Sequence, residues 1–144
     1  ETYGGRLTSF DINSDGSLTN RQIWAQMMPT SYYLLTKIVR ALKIPVKEGR
    51  ATPYPVPDGI CLDDHNGVWV ASPTTSEVIR YTQGGEVTQR IKTPDRAYAC
   101  MLGGKTGTTL FISTAKTSDP EIASREKNGK IYSTEVEYPR AGKP

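Results

Sequence analysis

The sequence predicts an all-β chain of propeller type, and three observations predict it. Short runs rich in β-branched and aromatic residues are bounded by Gly, Pro, Asn and Asp. The same order of parts occurs twice, in "DGICLDDHNGVWVASPTTSEVIRYTQGGEV" and in "AYACMLGGKTGTTLFISTAK…GKIYSTEV". Each copy has an inner strand, a turn, an apolar strand, a loop and an alternating strand. With the loop after residue 115 counted as an insertion, the period is about 40 residues, the length of one four-stranded blade. Third, a single stretch, 29–45, breaks the pattern with helical periodicity. A β-sandwich with regular spacing is the alternative arrangement of the same strands.

In chain order, "RLTSFDI" (6–12) alternates with period two, and "SLTNRQIWAQ" (17–26) follows the strong turn pair Asp15-Gly16. The link between them, "DINSDGSLTNRQ" (11–22), sets Asp11, Asn13, Asp15, Gly16 and Gln22 near the spacing of an EF-hand calcium loop. That loop needs a helix on each side and a bidentate carboxylate at its twelfth place, where Gln22 stands. A hairpin explains the letters without a metal: Gly16 takes the positive φ and Asp15 caps the turn backbone. A turn is the expectation.

"PTSYYLLTKIVRALKIP" (29–45) reads as a helix, with Pro29 and Thr30 or Ser31 suiting its start and Pro45 its stop. Leu34, Leu35, Ile38, Val39 and Leu42 follow a 3.6-residue period, while Lys37, Arg40 and Lys43 share the other side. The expectation is a surface helix packing its apolar face on the sheet. A lid, an interfacial membrane helix and a dimer contact are the sharper alternatives. "EGRATPYPVP" (48–57) reads as an extended proline-rich connector rather than a boundary. Residues 28–54 are thus an insert, helix plus connector, within one domain spanning 1–144. Further strands are expected at 57–63, 68–72, 77–82, 86–92, 97–104, 109–115 and 129–137, with turns at 64–67 and at Gly84-Gly85 and a polar loop after 115.

At 144 residues the chain is long enough for one domain with a sizeable core. Hydrophobic residues at 36% and charged residues at 23% describe a soluble folded chain rather than a disordered one. The net charge of +3 comes from scattered Lys and Arg without interleaved aromatics, which argues against a nucleic-acid partner. Cys61 and Cys100 lie far apart in apolar runs; they read as buried, reduced thiols, which points to the cytoplasm. No apolar run approaches the roughly 20 residues of a membrane span, and no signal peptide is evident, so a membrane partner is not expected. The chain opens at Glu1 without an initiator methionine, so further sequence is expected upstream.

Several motifs in order carry a resemblance: "GGRLTSFDINSDGSLTNRQIWA", Pro57-Asp58-Gly59 with Leu62-Asp63, "GVWVAS", "RAYACMLGGKTGTTLFISTA" and the closing "EVEYPRAGKP". Together they resemble the gluconolactonase, senescence marker protein and luciferin-regenerating enzyme family over nearly everything except about residues 28–54. The resemblance implies a six-bladed propeller, of which this chain corresponds to the carboxy-terminal half, about three blades with one inserted amphipathic helix. It implies one divalent metal, calcium or zinc, at the mouth of the central channel, held by an early Glu, a middle Asn and the Asp of the "PDG" motif. That Asp is Asp58, which is thereby expected as metal ligand and catalytic group. The implied reaction is hydrolysis of a sugar lactone or related ester, the metal polarising the carbonyl and a carboxylate helping to activate water. From its residues alone, Asp58 reads rather as a cap on the turn before its strand; the resemblance turns the expectation to the metal role.

The early Glu and middle Asn have no counterpart here, and one Asp cannot hold a calcium that takes about 6–8 oxygens. The site in this chain alone is therefore expected to be incomplete, finished by a missing amino-terminal half or by a second copy. Tyr98 and Arg96, just before the second inner strand, are candidates for binding substrate at the channel mouth. His65, the only histidine, reads as a solvated loop residue, and "GGKTGTT" (103–109) as a turn rather than a phosphate loop. A non-catalytic half-propeller that self-associates is the competing reading, because a truncated ring exposes sheet faces and edges.

Overall fold

A computed structural model describes residues 1–44 and 52–142. After a short 3-10 turn at Thr2–Gly4, the elements are β1 (Arg6–Ile12), β2 (Leu18–Gln26), α1 (Thr30–Ala41), β3 (Ile60–Leu62), β4 (Val68–Ser72), β5 (Glu77–Tyr81), β6 (Val87–Lys92), β7 (Arg96–Gly103), β8 (Thr109–Ala115), α2 (Pro120–Glu126) and β9 (Lys130–Glu135). The strands form three antiparallel sheets in the orders β1-β2, β3-β4-β5-β6 and β7-β8-β9. Neighbours in each sheet are neighbours in sequence, so every connection is a local hairpin or a step to the next sheet.

The β1–β2 hairpin resolves the calcium-loop question as a turn. Ser17 donates its backbone N–H (2.9 Å) and hydroxyl (2.7 Å) to Asp15 Oδ1. Gly16 sits at φ +83°, where a residue with a Cβ is strained. Strands, not helices, flank the loop.

The middle sheet has β4 and β5 buried throughout, polar residues included. All five residues of each strand are buried. Side chains alternate between the two faces of a sheet, and here both faces are covered. One face, Val68, Val70, Ile79 and Tyr81, packs with Leu7, Ala25 and Met27 of the hairpin unit. The other, Cys61, Trp69, Ala71 and Val78, packs with Ala97, Cys100, Leu102, Leu110 and Ile112 of the third sheet. Three sheets stacked this way are blades and not the two layers of a sandwich. The third sheet shows the single-sided alternation of an element with one neighbour, in the pattern of β7 and β8.

Two expectations are corrected. Helix α1 begins at Thr30 as its cap signals require, but its apolar stripe does not pack on a sheet: Leu34, Leu35, Ile38 and Leu42 are 53–66% exposed. The inward side is instead Tyr32, Tyr33, Thr36 and Val39, all half-buried, with the Tyr32 ring edge-on to Tyr54 at 5.0 Å. Both faces of the middle sheet are already taken by its neighbours, so that sheet has no face left for the helix to cover. The expected stop at Pro45, and the connector over residues 48–51, lie outside the described residues. The second correction is α2, a helix inside the expected polar loop. Asp119 caps it by accepting from Glu121 N–H (2.9 Å) and Ile122 N–H (3.0 Å), Pro120 opens it, and Lys127 closes it at φ +48°.

Candidate functional site

Asp58 stands at the entrance to β3, an edge strand of the middle sheet. Its N–H donates to the Ala71 carbonyl (3.0 Å), and the Ala71 N–H donates to the Gly59 carbonyl (2.9 Å), so the strand start is tied to β4. The Gly59 N–H crosses to the third sheet and donates to the Tyr98 carbonyl (2.9 Å). A Cβ on Gly59 would lie 2.7 Å from Ala99 Cα, so the close approach of the two inner edges admits only glycine there. The "PDG" triplet thus has a local cause: the glycine is where two blades touch by backbone, and the aspartate before it is held at that junction.

The Asp58 side chain is exposed. Burial of its surroundings nevertheless pushes its carboxyl above the usual aspartate range. Among the described residues no hydrogen bond or ion pair answers the carboxylate. It does not act as a turn cap; it is a partly desolvated acid without a cation beside it.

The structure brings Tyr98 to Asp58 through the backbone bond at Gly59. The Tyr98 hydroxyl is buried and has no hydrogen-bond partner among the described residues. Arg96 is exposed at the start of β7, and no hydrogen bond or ion pair joins it to Asp58. Two cavities, of about 350 and 260 Å³, are lined by Glu1–Gly4 with Tyr33, Thr36 and Lys37, and by Ile91–Pro94 with Ile112 and Tyr132–Thr134; neither touches Asp58.

Among the described residues no group of three or more His, Cys, Asp or Glu is placed to hold a metal ion. Calcium takes about 6–8 oxygens, so Asp58 alone does not make a site. The two buried acids of the middle sheet are already committed. Glu77 is ion-paired to Arg90 (2.8 Å) and Lys92 (3.1 Å). Asp63 takes both arms of Arg80, Nε on Oδ2 (2.7 Å) and Nη2 on Oδ1 (2.9 Å). Burial works against the charge on Asp63, but the Arg80 hydrogen bonds and the Gly67 N–H outweigh it and hold its pKa below the ordinary value.

That pair anchors a cluster missing from the sequence reading. Asp63 Oδ1 also accepts the N–H groups of His65 (3.0 Å) and Gly67 (2.9 Å), closing the "DDHNG" turn. The Arg80 guanidinium lies 4.6 Å from the Tyr138 ring centre, and the His65 ring stacks on Tyr138 with centres 4.3 Å apart. His65 is 59% exposed at its side chain, as a loop residue should be, yet it is hydrogen-bonded to Asp64 (2.7 Å). Backbone bonds from Asp64 to Pro139 (2.9 Å) and from Ala141 to Leu62 (3.0 Å) complete the join. The cluster fastens the segment after β9 onto the middle sheet, and its chemistry is structural. Cys61 and Cys100 are free and buried; Cys100 Sγ approaches the carbonyls of Trp69 (3.5 Å) and Gly59 (3.6 Å) in the same inter-sheet core. The "GGKTGTT" segment is a turn, with Gly104 and Gly107 at φ near +80°. Among the described residues no helix is long and apolar enough to cross a membrane.

Known proteins bear on this geometry. The pattern of the SMP-30/gluconolactonase/LRE-like region matches residues 1–116. Regucalcin of Xenopus laevis is 30% identical over 131 residues, covering 80% of this chain and 44% of that protein. Regucalcin of Oryctolagus cuniculus is 34% identical over 74 residues, covering 49% of this chain and 25% of the rabbit protein. The chain therefore spans less than half the length of these relatives. Among solved structures, a luciferin-regenerating enzyme matches 96% of this chain with 40% of its own length, at TM-score 0.64 and 18% identity. A calcium-binding protein, regucalcin from Agrobacterium tumefaciens, matches 99% of this chain with 42% of its own, at TM-score 0.65 and 16% identity. The fold is accordingly a partial β-propeller, about three blades of the six-bladed lactonase type, with one inserted amphipathic helix. With its pattern matched across residues 1–116, the chain belongs to the SMP-30/gluconolactonase/LRE-like family.

Proposed function

We propose that this protein contributes to a metal-dependent hydrolase of sugar lactones or related esters, with Asp58 as its share of the metal site. The observation that carries the reading is the Asp58–Gly59 junction: an unpaired, partly desolvated carboxylate fixed by backbone where two inner strands meet. Family membership supports it, and so does the calcium-binding protein among the structural neighbours. The remaining oxygen ligands come from groups outside the described residues, supplied by more of the ring or by another chain. What this chain supplies by itself is position and charge. Gly59 sets the spacing between blades, and Asp58 presents an anion at their inner edge.

The test is lactone hydrolysis by the purified protein with calcium, zinc or manganese added. Expected is metal-dependent turnover that Asp58→Ala lowers by more than the about tenfold that losing even an outer-shell metal partner costs. Absence of turnover with every metal, together with Asp58→Ala matching the parent in metal binding, would defeat the reading.

A second reading rests on the two ends of the sheet stack. On the open face of the third sheet Met101, Phe111 and Ile131 are 41–74% exposed, and on the hairpin Ile12, Leu18 and Ile23 are 54–76% exposed. Faces of this kind mark contact surfaces. Two copies related by a two-fold axis would cover them and act as a non-catalytic binding or structural module. Light scattering separates the two: a stable monomer at micromolar concentration removes the paired ring.

A further inference from the structure

Helix α1 has a body-facing side and an outward side, and they are the reverse of what its composition suggests. Tyr33 and Thr36 line a cavity with Thr2 and Gly4, while Tyr32 meets Tyr54, so the aromatic and polar side faces the protein. The opposite arc holds Leu34, Leu35, Ile38 and Leu42, each more than half exposed, and Ile44 beyond the helix end is 50% exposed. Lys37 flanks this arc from the other side: exposed itself, it borders the same cavity as Tyr33 and Thr36, with its ammonium 4.8 Å from the Tyr33 ring centre. Between residues 29 and 44 the charged residues are Lys37, Arg40 and Lys43, with no acid among them.

We propose that α1 is an interfacial helix that seats this protein on anionic lipid surfaces. A 12-residue helix is too short to span a bilayer. It is suited to lie along one, its aliphatic arc among the acyl chains and its lysines at the headgroups. Charge selects the occupant. An isologous contact between two copies through this face would set like-charged helices side by side, whereas phosphatidylserine headgroups neutralise them. The sequence expectation of no membrane partner rests on the lack of a spanning run and of a signal peptide, and neither bears on a helix that lies along a surface. The inference stands independently of the lactonase reading, since none of these residues contacts Asp58.

The experiment is co-sedimentation of the full chain with phosphatidylcholine vesicles, with and without phosphatidylserine, at low and high salt. Expected is binding to the phosphatidylserine vesicles that weakens with salt. It should fall at least about tenfold both in Ile38→Glu and in the double variant Lys37→Glu/Lys43→Glu, each cation near an anionic surface being worth several-fold in affinity. These positions are exposed, so circular dichroism of the variants should match the parent. Three results overturn the proposal: no sedimentation with phosphatidylserine vesicles, equal binding to vesicles lacking it, or a parent dimer that Ile38→Glu converts to monomer while vesicle binding is unchanged.

Discussion

The middle sheet and the inserted helix are built from much the same aliphatic residues and treat them in opposite ways. Ile79 of β5 is 0% exposed and Ile38 of α1 is 54% exposed, although each sits in an element with a clean apolar pattern. The difference lies in the neighbours. The period-two alternation of β4 and β5 meets a partner sheet on each side, so even Ser72 and Glu77 are drawn inside. Among the described residues the 3.6-residue period of α1 meets none on its aliphatic side. An apolar pattern specifies a face that wants cover; topology decides whether cover arrives.

If the middle sheet owes its burial to neighbours on both sides, its committed charges should be the costliest to disturb. Asp63→Ala leaves the Arg80 guanidinium, whose side chain is 5% exposed, without its counter-charge. The expected loss is about 3–5 kcal/mol, the range for breaking a buried pair from one side. Urea unfolding followed by tryptophan fluorescence measures it. The pH dependence has a fixed sign. Asp63 and Glu77 are both held below their ordinary values in the folded state, so the unfolded chain binds protons at higher pH than the native one. Their contribution is full above the unfolded carboxyl values near about 4 and is lost as pH falls through the depressed native values. Asp63→Ala should flatten the acid side of the stability profile.

Next in size is Ile79→Ala. It opens a void between the hairpin and the middle sheet, and the expected cost is about 2–5 kcal/mol by the same measurement. A cost below about 1 kcal/mol would mean the hairpin is not firmly seated, and the contrast with α1 would dissolve. Gly59→Ala probes the other side. Its Cβ must push β7 away or tilt β3, because the nearest atom is Ala99 Cα at 2.7 Å and not a flexible side-chain end. The expectation is about 1–3 kcal/mol of overpacking, with any metal-dependent activity falling more than stability does.

Much of this was legible in the residues. The nine strands of the described residues lie where turn pairs and alternation put them, because a hairpin carries its own local punctuation: Asp15-Gly16, "DHNG" and Gly84-Gly85 each mark a chain reversal. What escaped was what local signals do not encode. Helix α2 is two turns long, too short for periodicity to appear, although Asp119-Pro120-Glu121 was a readable cap. The Asp63–Arg80 pair joins residues 17 apart across the sheet, and no motif announces it. The orientation of α1 depends on which sheet faces were already covered. Asp58 was legible only through resemblance; the geometry adds that Gly59 is held in close backbone contact and that the carboxylate has no partner among the described residues.

The smallest effect is the most informative about the comparison. Ile38→Ala removes the same atoms as Ile79→Ala, from a helix in place of a strand. Its side chain already faces water, so little transfer free energy is lost, and alanine has the higher helix propensity. The expected change in unfolding free energy is within about 0.5 kcal/mol of zero, as for surface positions without special contacts. A loss comparable to that of Ile79→Ala would mean the aliphatic arc is covered in solution, by a second copy or by chain from elsewhere. Repeating the measurement over a hundredfold range of protein concentration separates those two, since only a self-associated arc becomes more stable as the protein is concentrated.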